Sequence, residues 1–261
     1  MAIPLEPSTL LLVALVVAVA GLVNGVAGFG FAVVGTMVLA GVFEPATAVV
    51  FMILPIVAVN LSLARDLSGE QVRTCGRRFA PLLVTATVGT IVGLWALEWL
   101  PASPLRVGLG VITLGFVASS QRVVGTALLG RFKSRCFVGT APWMAVIGAI
   151  SGLLFGATNV GVQLVAYVRS QTDSHQLFVG VVAMVFLGVN GLRVLAAGTL
   201  GLFPDLATVA LSFGAMIPAV IGVALGRRLR GRLPESVRRG AVLGLLAIIG
   251  VQLVGTGIGL W

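Results

Sequence analysis

The chain has 261 residues, of which 58% are apolar and only 10% are charged. A soluble domain carries about 25% charged residues, so this chain has too little polar surface to cover a water-soluble globule. Apolar stretches of roughly 20 residues recur along it, and each is long enough to cross a bilayer as a helix. The composition therefore predicts an all-α polytopic membrane protein. It excludes a soluble enzyme, a nucleic-acid-binding protein and a secreted disulfide scaffold.

The net charge of +9 is concentrated in short hydrophilic loops. Lys and Arg in short loops keep those loops in the cytoplasm, so the clusters indicate a multi-pass protein of the cytoplasmic (inner) membrane. Cys75 and Cys136 lie in or beside these loops, where a reducing compartment makes a structural disulfide unexpected. All but two of the 17 basic residues fall in four places: Arg65, Arg73, Arg77 and Arg78; Arg122, Arg131, Lys133 and Arg135; Arg169; and Arg227, Arg228, Arg230, Arg232, Arg238 and Arg239.

The apolar segments follow the same order in the two halves of the chain. In each half the first segment ends in a glycine-rich break, NGVAGFG (24–30) or GATNVG (156–161). The next segment is too short to span a bilayer at about 1.5 Å per residue. Each broken pair is predicted to be either a re-entrant hairpin or two tilted spans. The segments are 9–27, 31–42, 45–64, 79–99 and 104–120 in the first half, and 142–157, 162–168, 176–200, 205–225 and 240–261 in the second.

Two short matches indicate that the halves are repeats. GLVNG (21–25) resembles GAISG (148–152), and each precedes a break. AVNLS (58–62) aligns with GVNGL (188–192), which pairs Asn60 with Asn190. The two matches lie at nearly the same separation along the chain, as a duplication requires.

The basic loops predict that the repeats have opposite orientations. They make segment 45–64 run from outside to inside and segment 176–200 from inside to outside. The sequence thus predicts two inverted repeats, 1–130 and 131–261, each with a glycine-broken helical hairpin and three spanning helices. Both termini are predicted outside, and the acidic residues at predicted outer ends agree with this: Glu6, Glu44, Glu98 and Asp205.

The two breaks are the candidate binding site. A broken helix is tolerated in a membrane only inside protein or against a watery cavity, and paired broken segments in inverted repeats point to a transporter site near the midplane. The helix after each break would direct unpaired N–H groups and a positive dipole end at the centre, which favours an anion. The candidate substrate-binding residues are Asn24, Gly25, Gly28, Gly30, Thr36, Asn60, Gly156, Thr158, Asn159, Gly161, Gln163, Asn190 and Arg193.

Close helix packing is the alternative explanation for the glycines, since small residues let membrane helices approach each other. At the two breaks we expect ligand binding instead, because the breaks recur beside polar residues. Packing is expected for four pairs: Gly21/Gly25, Gly89/Gly93, Gly222/Gly226 and Gly255/Gly259.

Arg193 is the one basic residue well inside an apolar run. A charge at a helix centre costs about 2.5–3.5 kcal/mol on insertion scales, so it is a functional hypothesis by default. Its distance from the predicted outer helix end also allows its side chain to snorkel to the interface. Substrate counter-charge and interfacial anchor both stay open. His175, the only histidine, is predicted to be a surface loop residue rather than a proton relay.

Catalytic chemistry is not expected. No carboxylate falls at the centre of a segment, and the chain has no HExxH, GxSxG, Walker or CxxC motif. The sequence therefore predicts neither an enzyme nor a metal or cofactor site.

The breaks and their surroundings also resemble a known family. GLVNGVAGFGFAVVGTMVLAGVFEPATAVVF (21–51) is similar to the first-repeat signature of the TauE/SafE membrane transporters, the sulfite and organosulfonate exporters. GAISGLLFGATNVGVQLVAYVRSQ (148–171) and VFLGVNGLRVLAAG (185–198) resemble the second repeat and its following helix. The resemblance implies export and places the site at 24–30 and 156–161. Many members have proline after each glycine run, near Thr36 and Gln163 here.

The combined interpretation is a secondary transporter that moves a small anion by alternating access, as its halves rock around a midplane site. Sulfite, a sulfonate or a related sulfur oxyanion is the leading substrate class, and a small carboxylate is a further one. The expected partners are this anion, the lipid bilayer and a coupling ion, H⁺ or Na⁺. An anion channel and a non-transport membrane subunit or enzyme are the alternatives.

Overall fold

The computed structural model describes residues 6–65, 67–120, 141–161, 164–165, 167–168, 175–203, 205–232 and 234–259. Within these ranges the chain is helical and contains no strand, which confirms the all-α part of the predicted fold class. Several predictions lie outside the described residues. They concern Gln163, Cys136, Arg169, the basic group at 122–135 and the boundary at 130/131 between the repeats.

The described part of the first half forms seven α-helices. Apart from a division at Met52 and the additional polar helix α5, they follow the predicted segments. A single 3₁₀ turn, Leu97–Trp99, follows α6. The helices are α1 (Pro7–Ala27), α2 (Phe31–Val42), α3 (Pro45–Phe51), α4 (Ile53–Ala64), α5 (Gly69–Arg78), α6 (Ala80–Ala96) and α7 (Ala102–Ser120).

The division of segment 45–64 has a local cause. Pro55 has no N–H and cannot donate to the carbonyl of Phe51, four residues earlier. That carbonyl instead accepts a hydrogen bond of 2.5 Å from the hydroxyl of Ser212. The proline thus frees a buried acceptor, and a residue of the second half satisfies it.

Helix α5 occupies what the sequence predicts as a basic loop. Ser68 and Gln71 form a capping box, in which the Ser68 hydroxyl accepts from the Gln71 N–H at 3.2 Å. Glu70 in the first turn and Arg77 in the last complement the helix dipole. Helix α5 buries none of its residues and meets α6 at a bend of 73°, so it is a polar surface helix.

The second half contributes five described helices. His175, predicted to lie in a loop, is the first residue of α9, and Ala215 divides segment 205–225 three residues before Pro218. The helices are α8 (Ala141–Thr158), α9 (His175–Thr199), α10 (Leu206–Gly214), α11 (Met216–Arg230) and α12 (Glu235–Gly257).

Four stretches of the described chain are long and apolar enough to cross a membrane: Pro7–Ala27, Pro45–Ala64, Phe178–Thr199 and Leu206–Arg230. The bent pair α5 and α6 is a fifth candidate. Helix α2, with 12 residues, reaches only about 18 Å and cannot cross alone. The chain is therefore a multi-pass membrane protein with short apolar helices among its spans, as its composition predicts.

Helices α1 and α11 pack along each other in the same direction. A Cβ at Gly21 would lie 2.4 Å from the carbonyl oxygen of Ala219, and one at Gly25 would lie 2.3 Å from that of Val223. Helices α6 and α8 make the same kind of parallel contact. There, Cβ atoms at Gly89 and Gly93 would approach the carbonyl oxygens of Ala149 and Leu153 to 2.4 and 2.1 Å.

Helices α7 and α12 run antiparallel, since Gly110 faces Gly250 while Gly257 faces Val107. Helix α4 packs across α9. Gly259, by contrast, has a φ of 74° and open space around it, so the packing prediction is wrong at this residue. Close packing is confirmed for Gly21, Gly25, Gly89, Gly93, Gly222 and Gly226.

Candidate functional site

A cavity of about 40 Å³ lies between the two breaks. This volume has room for a few water-sized groups. The cavity is bordered by helices α4 and α9 and by both breaks, and its lining includes three asparagines and three of the break glycines. These residues are Asn24, Asn60, Asn159, Gly28, Gly30 and Gly161.

The first break uses glycine where only glycine fits. Gly28 and Gly30 have φ values of 86° and 105°, a left-handed region that side chains strongly disfavour. The N–H of Gly28 donates to the carbonyl of Asn24 at 2.7 Å, which ends α1. Helix α2 then begins at Phe31, so its first turn faces the cavity.

Asn24 caps this second helix. Its side-chain oxygen accepts a hydrogen bond of 3.4 Å from the N–H of Phe31. The N–H groups of the first helical turn have no intrahelical partner, and Ala32 and Val33 of that turn line the cavity. The start of α2 therefore presents hydrogen-bond donors and a positive dipole end to the space between the breaks.

The second break is built around Asn159. It has a φ of 59°, the sole positive φ outside glycine in the described chain, and asparagine tolerates this conformation better than most residues. Its amide donates to the hydroxyl of Thr36 at 2.8 Å and to the carbonyl of Val49 at 2.9 Å. Asn159 therefore joins the break of the second half to two helices of the first.

Arg193 lies directly behind Asn159. Its guanidinium is completely buried, donates to the Asn159 side-chain oxygen, and donates to the carbonyl of Gly156 at 2.8 Å. It also stacks 5.2 Å from the centre of the Phe155 ring. A cation at the last turn of α8 complements the negative end of that helix dipole. The interfacial-anchor interpretation is wrong, because the side chain turns into the protein.

Arg193 does not line the cavity itself. Asn159 and Phe155, which it contacts, both do. Among the described carboxylates none pairs with it. The site thus has one buried positive charge in the layer behind its wall.

The remaining candidates lie away from the cavity. Gly25 and Gly156 are in helix-packing contacts, where a Cβ would meet a backbone oxygen. The Thr158 hydroxyl donates back to the carbonyl of Leu154 at 2.5 Å. Asn190 is fully buried, and its amide donates to the carbonyl of Phe186 at 2.8 Å.

Sequence reasoning missed the apolar wall of the cavity. Phe155 and Phe186 stack with ring centres 4.9 Å apart, and Ile56 lines the same space. In a chain this apolar, such residues carry no signal that separates a cavity wall from a lipid-facing surface.

Comparison with known families agrees with this arrangement. A family model described as sulfite exporter TauE/SafE matches residues 13–253, a range that includes both breaks and all three cavity asparagines. The chain belongs to the TauE/SafE family. It is therefore a membrane transporter of a family associated with sulfur anions, as its sequence resemblance predicted. Among the curated proteins and the solved structures, none matches the chain.

Proposed function

We propose that this TauE/SafE protein is a secondary transporter of a small sulfur-containing anion, with sulfite or a sulfonate as its substrate class. One observation carries the proposal. The N-terminus of α2 and the amides of Asn24, Asn60 and Asn159 converge on one cavity, and its described lining holds no carboxylate. Such a lining suits a ligand that accepts many hydrogen bonds and carries negative charge.

The chemistry of a sulfur oxyanion fits this lining. Its oxygen atoms accept hydrogen bonds, which the N–H groups of Ala32 and Val33 and the amides of Asn24 and Asn60 can donate. Asn159 contributes no donor in this state, because its two N–H groups are bonded to Thr36 and Val49. Helix termini and amides hold an anion without a full charge in contact with it, so binding stays weak enough for release. Arg193 adds a positive field from behind Asn159.

The helix pairing supports the inverted repeat. Opposite orientations require segments 9–27 and 205–225 to be parallel, segments 79–99 and 142–157 to be parallel, and segments 104–120 and 240–261 to be antiparallel. The observed pairs α1–α11, α6–α8 and α7–α12 have these directions. Each pair also joins a helix of one half to a helix of the other.

This pairing changes which parts are proposed to move. Bundle A consists of α1, α4 and α11, and bundle B consists of α6, α8 and α9; both contain helices of the two halves. We propose that bundle A rocks against bundle B, with α4 and α9 at the interface beside the cavity. The two sequence halves are too interleaved to rock as separate bodies.

Export from the cytoplasm, an inner-membrane location, outward-facing termini and coupling to H⁺ or Na⁺ complete the proposal. Export rests on the family description. The membrane location and the termini rest on the basic clusters, which include Arg65 and Arg73.

Transport by purified protein in liposomes tests the proposal. The panel is sulfite, sulfate, thiosulfate, taurine, sulfoacetate and lactate, each with and without a proton or sodium gradient. We expect saturable movement of a sulfur anion. Flux that does not saturate and ignores both gradients would indicate a channel, and absence of movement of every anion by folded protein would refute the proposal.

Asn60→Ala is the first variant to compare. Loss of one amide contact raises the half-saturating anion concentration roughly two- to tenfold. Thr113→Val is its control, because Thr113 is also buried but bonds only within its own helix, to the carbonyl of Leu109 at 2.8 Å. If both variants change the half-saturating anion concentration equally, Asn60 does not contact the anion.

A further inference from the structure

The cavity is asymmetric along the helices that border it. The cavity takes Ile56, Asn60 and Leu63 from the C-terminal half of segment 45–64. The residues it takes from α9, Val179 to Phe186, lie in the N-terminal half of that helix. These helix ends lie at the end of the molecule that carries α5. The side chain of Leu67, just before α5, packs against Gly180 of α9, where an added Cβ would lie only 2.5 Å from it. The cavity therefore lies between the breaks and this basic end.

The opposite side of the breaks is closed. Thr36, Val49, Asn159 and Arg193 form a hydrogen-bonded cluster there, which we call the outer latch. Arg193 lies about 10 Å beyond Phe186 along α9, away from the basic end. Met52 beside this cluster is completely buried.

Equivalent residues of α4 and α9 have different environments. The Asn60 amide donates to the carbonyl of Ile56, and the Asn190 amide donates to that of Phe186, both at 2.8 Å and both four residues back. Asn60 lines the cavity, whereas Asn190 does not. Three residues further on, Leu63 of the cavity corresponds to Arg193 of the latch.

Two buried polar atoms beside the latch lack partners. The side-chain oxygen of Asn190 and the Nε of Arg193 have no hydrogen-bond partner, although both side chains are 0% exposed. Buried polar groups normally find partners, and an unmet one costs stability. Helix packing does not explain these two unpaired atoms. They suit a binding site that a ligand occupies in another conformational state of the protein.

We propose that Asn190 and Arg193 form a second anion site, which opens on the outer side when the outer latch separates. This inference rests on the proposed function, because it applies the two-fold relation of the bundles to the α4–α9 interface. The ligand class is a small oxyanion, which a guanidinium binds through paired hydrogen bonds. The outer site then has a full positive charge, whereas the inner cavity has Leu63 in its place.

Cysteine accessibility tests whether the outer site opens. In a background of Cys75→Ser and Cys136→Ser, the reporters are Val182→Cys in the inner cavity and Met52→Cys, its counterpart near the latch. A membrane-impermeant thiol reagent should label Val182→Cys from the basic side and leave Met52→Cys protected. Adding Thr36→Val removes one latch hydrogen bond and should raise Met52→Cys labelling from the other side about fivefold.

Thr113→Val is the control and should leave both labelling rates unchanged. If Met52→Cys stays protected in the Thr36→Val protein while Val182→Cys labels as before, no outer site opens and the inference is wrong. This result requires no transport measurement.

Sulfite affinity from each side tests the role of Arg193. Arg193→Gln should raise the half-saturating sulfite concentration about tenfold or more at the outer side and much less at the basic side. Arg106→Gln is the matched control, since Arg106 is partly buried and its Nε also lacks a partner, but it lies on α7. Arg193→Lys, which keeps the charge and loses the paired geometry, should give an intermediate, equally one-sided effect.

Equal losses at both sides would show that Arg193 only supports the fold, and would overturn its assignment to the outer site. Should Arg193→Gln fail to fold, the lysine variant decides by the same comparison. If the wild type moves no anion, the proposed function fails, and the cysteine experiment alone decides whether the outer cavity exists.

Discussion

The side-chain amide of Asn159 donates a hydrogen bond of 2.8 Å to the hydroxyl of Thr36, which lies 123 residues earlier in the chain. The contact joins the break of the second half to the helix that follows the break of the first. The guanidinium of Arg193 donates a hydrogen bond to the oxygen of the same side-chain amide. One asparagine therefore fixes the distance between the two breaks.

Thr36→Val should destabilise the protein by about 1 kcal/mol, because one Asn159 N–H then lacks its partner in a buried place. Thr113→Val should cost less, since it removes only a bond to its own helix. Thermal unfolding in detergent compares the two. If Thr36→Val and Thr113→Val unfold at the same temperature, the Asn159–Thr36 contact adds no measurable stability beyond a bond within one helix.

Gly93→Ala should destabilise the contact between α6 and α8 by about 1–3 kcal/mol or more, because its Cβ would lie 2.1 Å from a backbone oxygen that cannot move aside easily. Gly108→Ala on α7 meets nothing within 4 Å and should stabilise its helix by about 0.5–1 kcal/mol. The same unfolding assay measures both. A Gly93→Ala protein as stable as the wild type would contradict the packing described for this pair.

Single cysteines at Ser68 and Thr199 should react from opposite sides of the membrane. Both residues are exposed, one at the start of α5 and the other at the end of α9. The measurement is labelling of sealed vesicles with an impermeant thiol reagent, before and after permeabilisation. Labelling of both from one side would contradict the inverted orientation.

Asp205 should make the stability depend on pH in acid. Its carboxylate accepts from the Thr208 N–H at 2.5 Å at the start of α10, and this hydrogen bond lowers its pKa. A lowered folded-state pKa means that the charged cap stabilises the protein above about pH 4, the usual aspartate pKa, and that this benefit is lost as pH falls through the lower folded-state value.

Asp205→Asn keeps a capping oxygen without the charge. The wild type should therefore unfold at a higher temperature than this variant at neutral pH. The difference between their unfolding temperatures should shrink as the pH falls below about 4, the ordinary pKa of aspartate. A difference that stays constant with pH would show that the charge has no part in the cap.

Much of the fold was predictable because its signals are local. Hydrophobic length located the spans, and glycine runs located both breaks. The divisions at Met52 and Ala215 were not predicted, since a proline within a membrane span bends the helix only where neighbouring groups can satisfy the freed carbonyl. For Phe51 that group is Ser212, which lies far away in the sequence.

The site was predicted in part. Asn24 and Asn159 were predicted from polarity near the breaks and Asn60 from its alignment with Asn190, and all three line the cavity. The inward direction of Arg193 was not predictable, because distance from a helix end does not determine which face a side chain occupies. Asn190 was paired with Asn60 from sequence. Its absence from the cavity was not predictable, because it depends on how α4 and α9 pack.

The backbone-to-backbone contacts at Gly25 and Gly93 have a consequence for the origin of the protein. Helix α1, which ends at the first break, packs on α11 of the second half, and α8, which ends at the second break, packs on α6 of the first half. The chain cut between its halves should yield two fragments that assemble only when produced together. Under the proposed inverted repeat, an ancestor of half this length would need a second, identical chain inserted in the opposite direction to supply these helix contacts.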